Sequence, residues 1–287
     1  MTKGTIAELL RGRNDDLTRS EKQLADVILK NYPVSGLGSI TSIAEQANVS
    51  TPTVARLVQK LGFSGFPDFQ AELRKELDEK ISGPIIKRDV WAGNAPDAHV
   101  MNRFTEAVIG NIRQTLGEID VEKFDRACEL LSDQERQVFV VGGRITRTLA
   151  DHFFLHMQVI RKLVTHINSN SNAWPHYLLD VKKGDVVIIF DIRRYENSTL
   201  RLAEIAREKE AEIILFTDQW QSPVASIADI SFSNRIVVPS AWDSLVTGML
   251  LNEMIIADVQ ERIWGTTRKR MEELEVMFDR TRFFRKF

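Results

Sequence analysis

The segment from Leu17 to Phe69, LTRSEKQLADVILKNYPVSGLGSITSIAEQANVSTPTVARLVQKLGFSGFPDF, constrains the fold of this chain most. Two short apolar runs at helical spacing lie close together: Ile40, Ile43, Ala44 and Ala47, then Val54, Leu57, Val58 and Leu61. Asn48 and Val49 form the turn between them, with Val49 placed to plug the space between two helices. Ser50 can cap the second helix, and Pro52 is tolerated only within a first helical turn. Gly62 ends that helix by taking a left-handed backbone conformation. Phe63, Phe66 and Phe69 then fold back over the unit, and Pro67 starts a further helix to about Lys80. Upstream, Thr18 and Glu21 fit a capping box ahead of an apolar face of Leu24, Ala25, Val27 and Ile28. Pro33, Gly36 and Gly38 break the chain after it, and residues 1–16 read as a short helix and a polar connector. Two short helices at a tight turn, the second opening with small hydroxyl residues, make a helix-turn-helix. Double-stranded DNA is the partner this pattern implies.

The head is small beside the 287 residues of the chain, a length that suits about two domains. Hydrophobic residues make up 43 %, enough for a sizeable core. No apolar run approaches the roughly 18 residues of a membrane span, and the start lacks the apolar centre of a signal peptide, so a cytoplasmic protein with no membrane partner is expected. Cys128 is the only cysteine and allows no disulfide within the chain. It sits in the apolar rhythm of FDRACELL and reads as a buried, inert thiol. The net charge is −2, and residues 39–64 hold only Arg56 and Lys60 against Glu45. One such head neutralises few phosphates, so two heads paired in a dimer are expected. The basic stretch that closes the chain reads as a solvated helix with a basic end rather than as a DNA arm.

Residues 81–100, with two prolines, two glycines and no sustained period, read as the linker between a head at 1–80 and a larger domain at 101–287. Phe104, Val108, Ile112 and Leu116 mark a first helix of that domain, and Phe124, Ala127, Leu130 and Leu131 a second. The texture then alternates. QVFVVGG, KLVTHI, DVVIIF, EIILFTD, DISFS and RIVVP are strand-like. ITRTLADHFFLHMQVI, residues 174–180, residues 197–210, SPVASIA and residues 241–264 are helical. Strands alternating with helices predict an α/β fold with a doubly wound parallel sheet, joined here to an all-α head.

The two halves together resemble the RpiR (MurR/RpiR) family of bacterial transcription regulators. LTRSEKQLADVILKN is similar to the family's opening helix, and SIAEQANVSTPTVARLVQKLGFSGFPDF to its helix-turn-helix and glycine–phenylalanine signature. VFVVGG, DVVIIF, EIILFTD and SPVASIAD anchor a similarity over about residues 120–260 to the family's sugar isomerase (SIS) domain. The resemblance implies a homodimer or a dimer of dimers that binds an operator and a small effector.

A recognition helix reads bases with its exposed N-terminal turns. That set is Ser50, Thr51, Thr53, Arg56, Gln59 and Lys60, with Arg56 suited to guanine O6/N7 and Ser50 or Thr51 to phosphate. In a doubly wound sheet, ligands sit beyond the carboxyl ends of the strands. Typical SIS domains hold a sugar phosphate there with a glycine-rich loop bearing a serine and a Ser-x-Ser-Gly loop. This chain departs from both. The first loop reads Gly142, Gly143, Arg144, Ile145, Thr146, and in the second Asp191 and Arg193 replace the serines and Arg194 the glycine, with Asn197 following. A compact phosphate nest is lost, and guanidinium forks suited to a carboxylate or phosphate are gained. An anionic small molecule, a sugar phosphate or another carbohydrate derivative, is the expected effector. Ser240, Asp243 and Ser244 stand at a further helix start and either cap it, line the pocket, or both.

Several alternatives stay open at this level. Asp191, Arg193 and Arg194 also suit a structural ion-pair cluster, which would leave an effector-free DNA-binding dimer. A sugar-phosphate isomerase needs a base beside the substrate carbon, and Glu196, Glu204 and Asp218 fix no shared face. His152 and His156 lie four apart, as zinc ligands can, but no third ligand is near and Phe153–Phe154 suggest packing. Trp174 and Trp220 read as core or interface residues, with lining of the cleft as the alternative. No metal and no cofactor is expected.

Overall fold

The computed structural model describes residues 4–83, 85–88, 99–168 and 170–282. The chain divides into two compact units, Met1–Asn94 and Ala95–Phe287. Most of the linker expected over 81–100 lies outside the described residues. Among the described residues no helix is long and apolar enough to cross a membrane.

The first unit is helical: α1 (Ile6–Gly12), α2 (Arg19–Lys30), α3 (Ile40–Gln46), α4 (Thr51–Lys60) and α5 (Phe66–Ile81). Capping boxes start α1 at Thr5 and Glu8 and α2 at Thr18 and Glu21, each satisfying two backbone N–H groups that the helix leaves orphaned. Asn48 takes a left-handed φ of 50° in the turn between α3 and α4, and the Val49 N–H donates to the Ala44 carbonyl at 2.9 Å. Gly62 takes φ 92° after α4, and Phe63 meets Phe69 edge to face at 5.5 Å. Leu24, Ile28, Ile43, Val54, Leu57, Phe69 and Leu73 share one core. Glu76 of α5 is buried in it, accepting the Ile6 N–H at 2.9 Å and the Tyr32 hydroxyl. Burial pushes its carboxyl up to about 7.

The second unit opens with α6 (Val100–Glu118) and α7 (Val121–Ser132). Five strands follow: β1 (Val138–Gly142), β2 (Val164–His166), β3 (Val186–Phe190), β4 (Glu212–Asp218) and β5 (Ile230–Asn234). Between and after them run α8 (Arg147–Ile160), α9 (Trp174–Asp180), α10 (Asn197–Glu208), α11 (Val246–Arg262) and α12 (Trp264–Thr281). All neighbouring strands are parallel, in the order β2-β1-β3-β4-β5. The order reverses between β1 and β3, where a doubly wound sheet leaves a crevice. The pleat divides the strand residues between two cores. Val138, Val140, Ile188, Phe190, Ile214 and Phe216 pack with residues of α7, α8 and α11. Phe139, Val141, Val187, Ile189, Ile213 and Leu215 pack with residues of α9 and α10. Burial on both faces explains why these strands read as unbroken apolar runs.

Three expected elements differ. RIVVP is not a strand: Ile236 and Val238 are buried, but the sheet ends at Asn234. Side chains of α6 take its backbone groups instead, with Asn111 donating to the Val237 carbonyl at 2.9 Å and Arg235 N–H donating to Thr115 at 2.9 Å. SPVASIA forms only a 3₁₀ turn over Pro223–Ser226. The closing helix stops at Arg262 and a second, α12, continues from Trp264 to Thr281.

Candidate DNA-reading face and effector cleft

On α4 the apolar positions point into the head and leave a narrow outer face. Ser50, Arg56 and Gln59 are exposed and Thr51 is half-buried. Ser50 occupies the N-cap position but makes no capping bond; its hydroxyl pairs with that of Thr53 at 2.9 Å. Thr53 is buried and so does not belong to the exposed set. Its hydroxyl accepts from the Arg56 guanidinium, Nη2 donating at 3.3 Å. Lys60 turns back onto the head, donating to the Asp16 carbonyl at 2.5 Å and pairing with Glu21 at 3.0 Å.

In the second unit the loops after β1 and β3 converge on a cleft of about 240 Å³ at the reversal of strand order. Of the expected residues, Gly143, Arg144, Thr146, Asp191, Arg193, Arg194 and Asp243 line it. Gly142 lies beneath: a Cβ there would sit 2.7 Å from backbone atoms of Thr146 and Arg147, so the tight strand-to-helix turn requires glycine. Asn197, Ser240 and Ser244 do not line the cleft. Ser240 accepts the Trp242 N–H at 3.1 Å, and Ser244 the N–H of Val246, the first residue of α11, at 3.3 Å, while the N-cap residue of that helix is Leu245.

The lining residues divide into wall and lip. Thr146 is buried and its hydroxyl donates to the Phe190 carbonyl at 2.7 Å while accepting the Gly143 N–H at 2.8 Å, tying the first loop to the end of β3. Asp191 is buried and accepts from the Ser222 hydroxyl. Burial pushes its carboxyl up to about 7 against that hydrogen bond, with the neighbouring charge of Asp218 adding to the rise. Arg193 turns inward, 3.3 Å from Asp243 and over the ring of the buried Trp220. Its N–H donates to Asp218 at 2.7 Å. Asp218, fully buried, also accepts the Tyr195 hydroxyl at 2.7 Å and the Trp220 N–H at 2.9 Å. Burial raises its pKa. Asp191 and Arg193 are thus built into the wall, Asp191 bonded to Ser222 and Arg193 paired with Asp243, which is not the cluster of Asp191, Arg193 and Arg194 named as an alternative.

Arg194 and Arg144 form the lip. Both are exposed, and neither guanidinium makes an ion pair or hydrogen bond with a described residue. Arg194 holds φ 62°, the left-handed conformation that the glycine of a typical loop takes without strain. Glu196 and Trp242 also line the cleft and were not expected there, and Ile145, Ile192 and Leu245 complete it. Glu196 accepts the Arg144 N–H at 2.9 Å, and Trp242 is 59 % exposed at the edge. Trp242 lies inside the Ser240–Ser244 stretch already marked by its polar residues, so its position was the available signal.

The remaining candidates do not line the cleft. The rings of His152 and His156 lie 4.6 Å apart, and no group of metal-ligating residues exists among the described residues. Trp174 is buried, its Nε1 donating to the Asn168 carbonyl at 2.7 Å. Burial pushes the Cys128 thiol up to about 12, which leaves it unreactive at neutral pH.

A helix-turn-helix head joined to a doubly wound parallel domain with a cleft at its switch point is the build of a DNA-binding regulator with a ligand-type domain. Residues 4–80 match the family described as the helix-turn-helix domain of the rpiR family, and residues 130–257 match the SIS domain. The chain belongs to the rpiR family of helix-turn-helix transcription regulators that carry a SIS domain. It is 24 % identical over 265 residues to the HTH-type transcriptional regulator HexR of Pseudomonas aeruginosa, covering 86 % of this chain and 89 % of that one. The sugar isomerase domain of an RpiR transcription factor from Sphaerobacter thermophilus is similar with a TM-score of 0.57 and 21 % identity, over 61 % of this chain and 97 % of that one. The Vibrio vulnificus NanR protein complexed with ManNAc-6P is similar with a TM-score of 0.55 and 17 % identity, over 95 % of this chain and 98 % of that one.

Proposed function

We propose that this chain is a transcription regulator whose operator affinity responds to an anionic small molecule held in the cleft over β1 and β3. The observation that carries this reading is the pair of exposed guanidiniums of Arg144 and Arg194 on the lip of a switch-point cleft, without partners among the described residues. Guanidinium forks bind carboxylate or phosphate with charge-assisted hydrogen bonds. NanR was solved with ManNAc-6P, which makes sugar phosphates the first ligands to test and sugar carboxylates the second.

In this reading the head at 1–80 reads the operator with Ser50, Thr51, Arg56 and Gln59, and residues 101–287, joined to it by the linker at 81–100, bind effector and pair two copies. Pairing is supported by α6, where Phe104, Val108, Ile109 and Ile112 stay only half-buried and Thr115 alone is buried. An apolar helix face left partly open suits a second copy. Effector binding biases the placement of the two heads, and a coupling of about 1–3 kcal/mol makes a useful switch.

The isomerase alternative needs a base that faces substrate. Asp191, the cleft carboxyl pushed to about 7, is 3 % exposed and holds the Ser222 hydroxyl, so it serves the wall better than a reaction. A thermal-shift screen of anionic metabolites, read beside binding to DNA fragments that the protein itself selects, tests the reading. Stabilisation by an anion that leaves DNA binding unchanged would refute it.

A further inference from the structure

The anion-binding corner of the cleft is occupied by the chain's own carboxylate. Glu196 Oε1 accepts the backbone N–H of Arg144 at 2.9 Å, beside the two lip guanidiniums. Among the described residues Glu196 makes no ion pair, although three arginines line the same cleft. A Cβ at Gly143 would lie 3.1 Å from Oε1, so the glycine gives the carboxylate room to approach. Glu196 is also the N-cap residue of α10, yet its side chain caps none of that helix's amides. An acidic group at this position is ordinarily drawn to the orphaned N–H groups of its own helix. Here Oε1 reaches across to the other loop while Oε2 keeps the Ser198 hydroxyl of α10 at 3.5 Å, and the connecting segment carries the left-handed Arg194. One position of this carboxylate is held by the Arg144 N–H, and the amides that open α10 offer it a second.

We propose that Glu196 is a built-in stand-in for the anionic group of the effector. An incoming carboxylate or phosphate takes the Arg144 N–H and the lip guanidiniums. Glu196 leaves and swings back to cap α10. The loop from Asp191 to Glu196 shifts with it. This deepens the reading of the cleft as an anion site and rests on it. The stand-in holds the empty cleft in one defined shape, and it weakens effector binding because the effector must displace it.

The test measures binding of inorganic phosphate, glucose 6-phosphate and glucuronate to the full chain by calorimetry. Wild type, Glu196→Gln and Glu196→Asp are compared. The phosphate and carboxylate arms separate the two sources of the anion. Gln weakens the hold on the Arg144 N–H by removing charge; Asp keeps the charge and loses the reach. Both variants are expected to bind the preferred probe roughly tenfold more tightly, the worth of about one charge-assisted hydrogen bond. In the wild type the Arg144 amide is expected to exchange slowly with and without probe; in Glu196→Asp it exchanges fast until the probe is added. Tighter binding by Gln with wild-type affinity for Asp overturns the stand-in, because bulk charge then accounts for the effect. Equal affinity in all three proteins overturns it as well, while leaving the anion cleft standing. Absence of binding to every protein overturns both.

Discussion

The guanidinium of Arg193 lies over the ring of Trp220, its central carbon 4.0 Å from the ring centroid. The same group sits 3.3 Å from Asp243, and the Arg193 N–H reaches Asp218. One residue thus joins the end of β3, the end of β4 and the loop before α11. That leaves Arg194, one position on, as the residue whose charge is presented to the cleft.

Arg193→Ala is expected to cost roughly 2–4 kcal/mol of stability, because it strands a half-buried carboxylate and removes a desolvated cation–π contact. Arg193→Lys keeps the charge but not the planar face and recovers only part of the loss. Urea denaturation of the two variants reads this directly. A loss below about 0.5 kcal/mol for Ala, the range of ordinary surface substitutions, contradicts the assignment of Arg193 to the wall.

Arg56→Ala is expected to weaken operator binding by roughly tenfold or more per head, the worth of a bidentate base contact. Thr53→Val removes the buried hydroxyl that the Arg56 guanidinium meets at 3.3 Å and is expected to weaken binding less than Arg56→Ala does. Gel shift on a selected operator, with circular dichroism as the check on folding, compares them. Unchanged binding by Arg56→Ala would move the reading face elsewhere.

Glu76 makes the stability of the head depend on pH. Its folded-state pKa of about 7 lies above the ordinary carboxylate value, so the folded head holds that proton more tightly than the unfolded chain does. The stabilisation is full below the ordinary carboxylate range and is lost as pH rises through 7. The amount is on the order of 3 kcal/mol. Unfolding of the full chain followed at head amide resonances between pH 5 and pH 8 is expected to show this decline, and Glu76→Gln to flatten it. A wild-type head that gains stability over that range contradicts the burial argument.

Much of the architecture was legible because it is local. The helix-turn-helix is written in apolar spacing, a left-handed Asn48 and a capping Gly62, all within a few residues of what they control. β1, β3 and β4 were legible because burial on both faces makes each an unbroken apolar run. RIVVP misled because Ile236 and Val238 alternate as a strand does, while the groups that take its backbone hydrogen bonds, Asn111 and Thr115, stand 126 and 120 residues away. The cleft divides in the same way. The loops after β1 and β3 were identifiable from strand order and composition. That Arg193 faces inward and Arg194 outward depends on Trp220 and Asp243, which no local pattern connects to them. Thr53 was misplaced because its hydroxyl turns to Ser50 rather than to solvent.

The most direct measurement of the central claim is operator affinity by fluorescence anisotropy, with and without the anion that stabilises the protein. Wild type is compared with Arg144→Ala plus Arg194→Ala. The account predicts equal affinity of the two proteins without ligand, a change of roughly fivefold or more on adding it to wild type, and none in the double variant. An effector response that survives loss of both guanidiniums contradicts it.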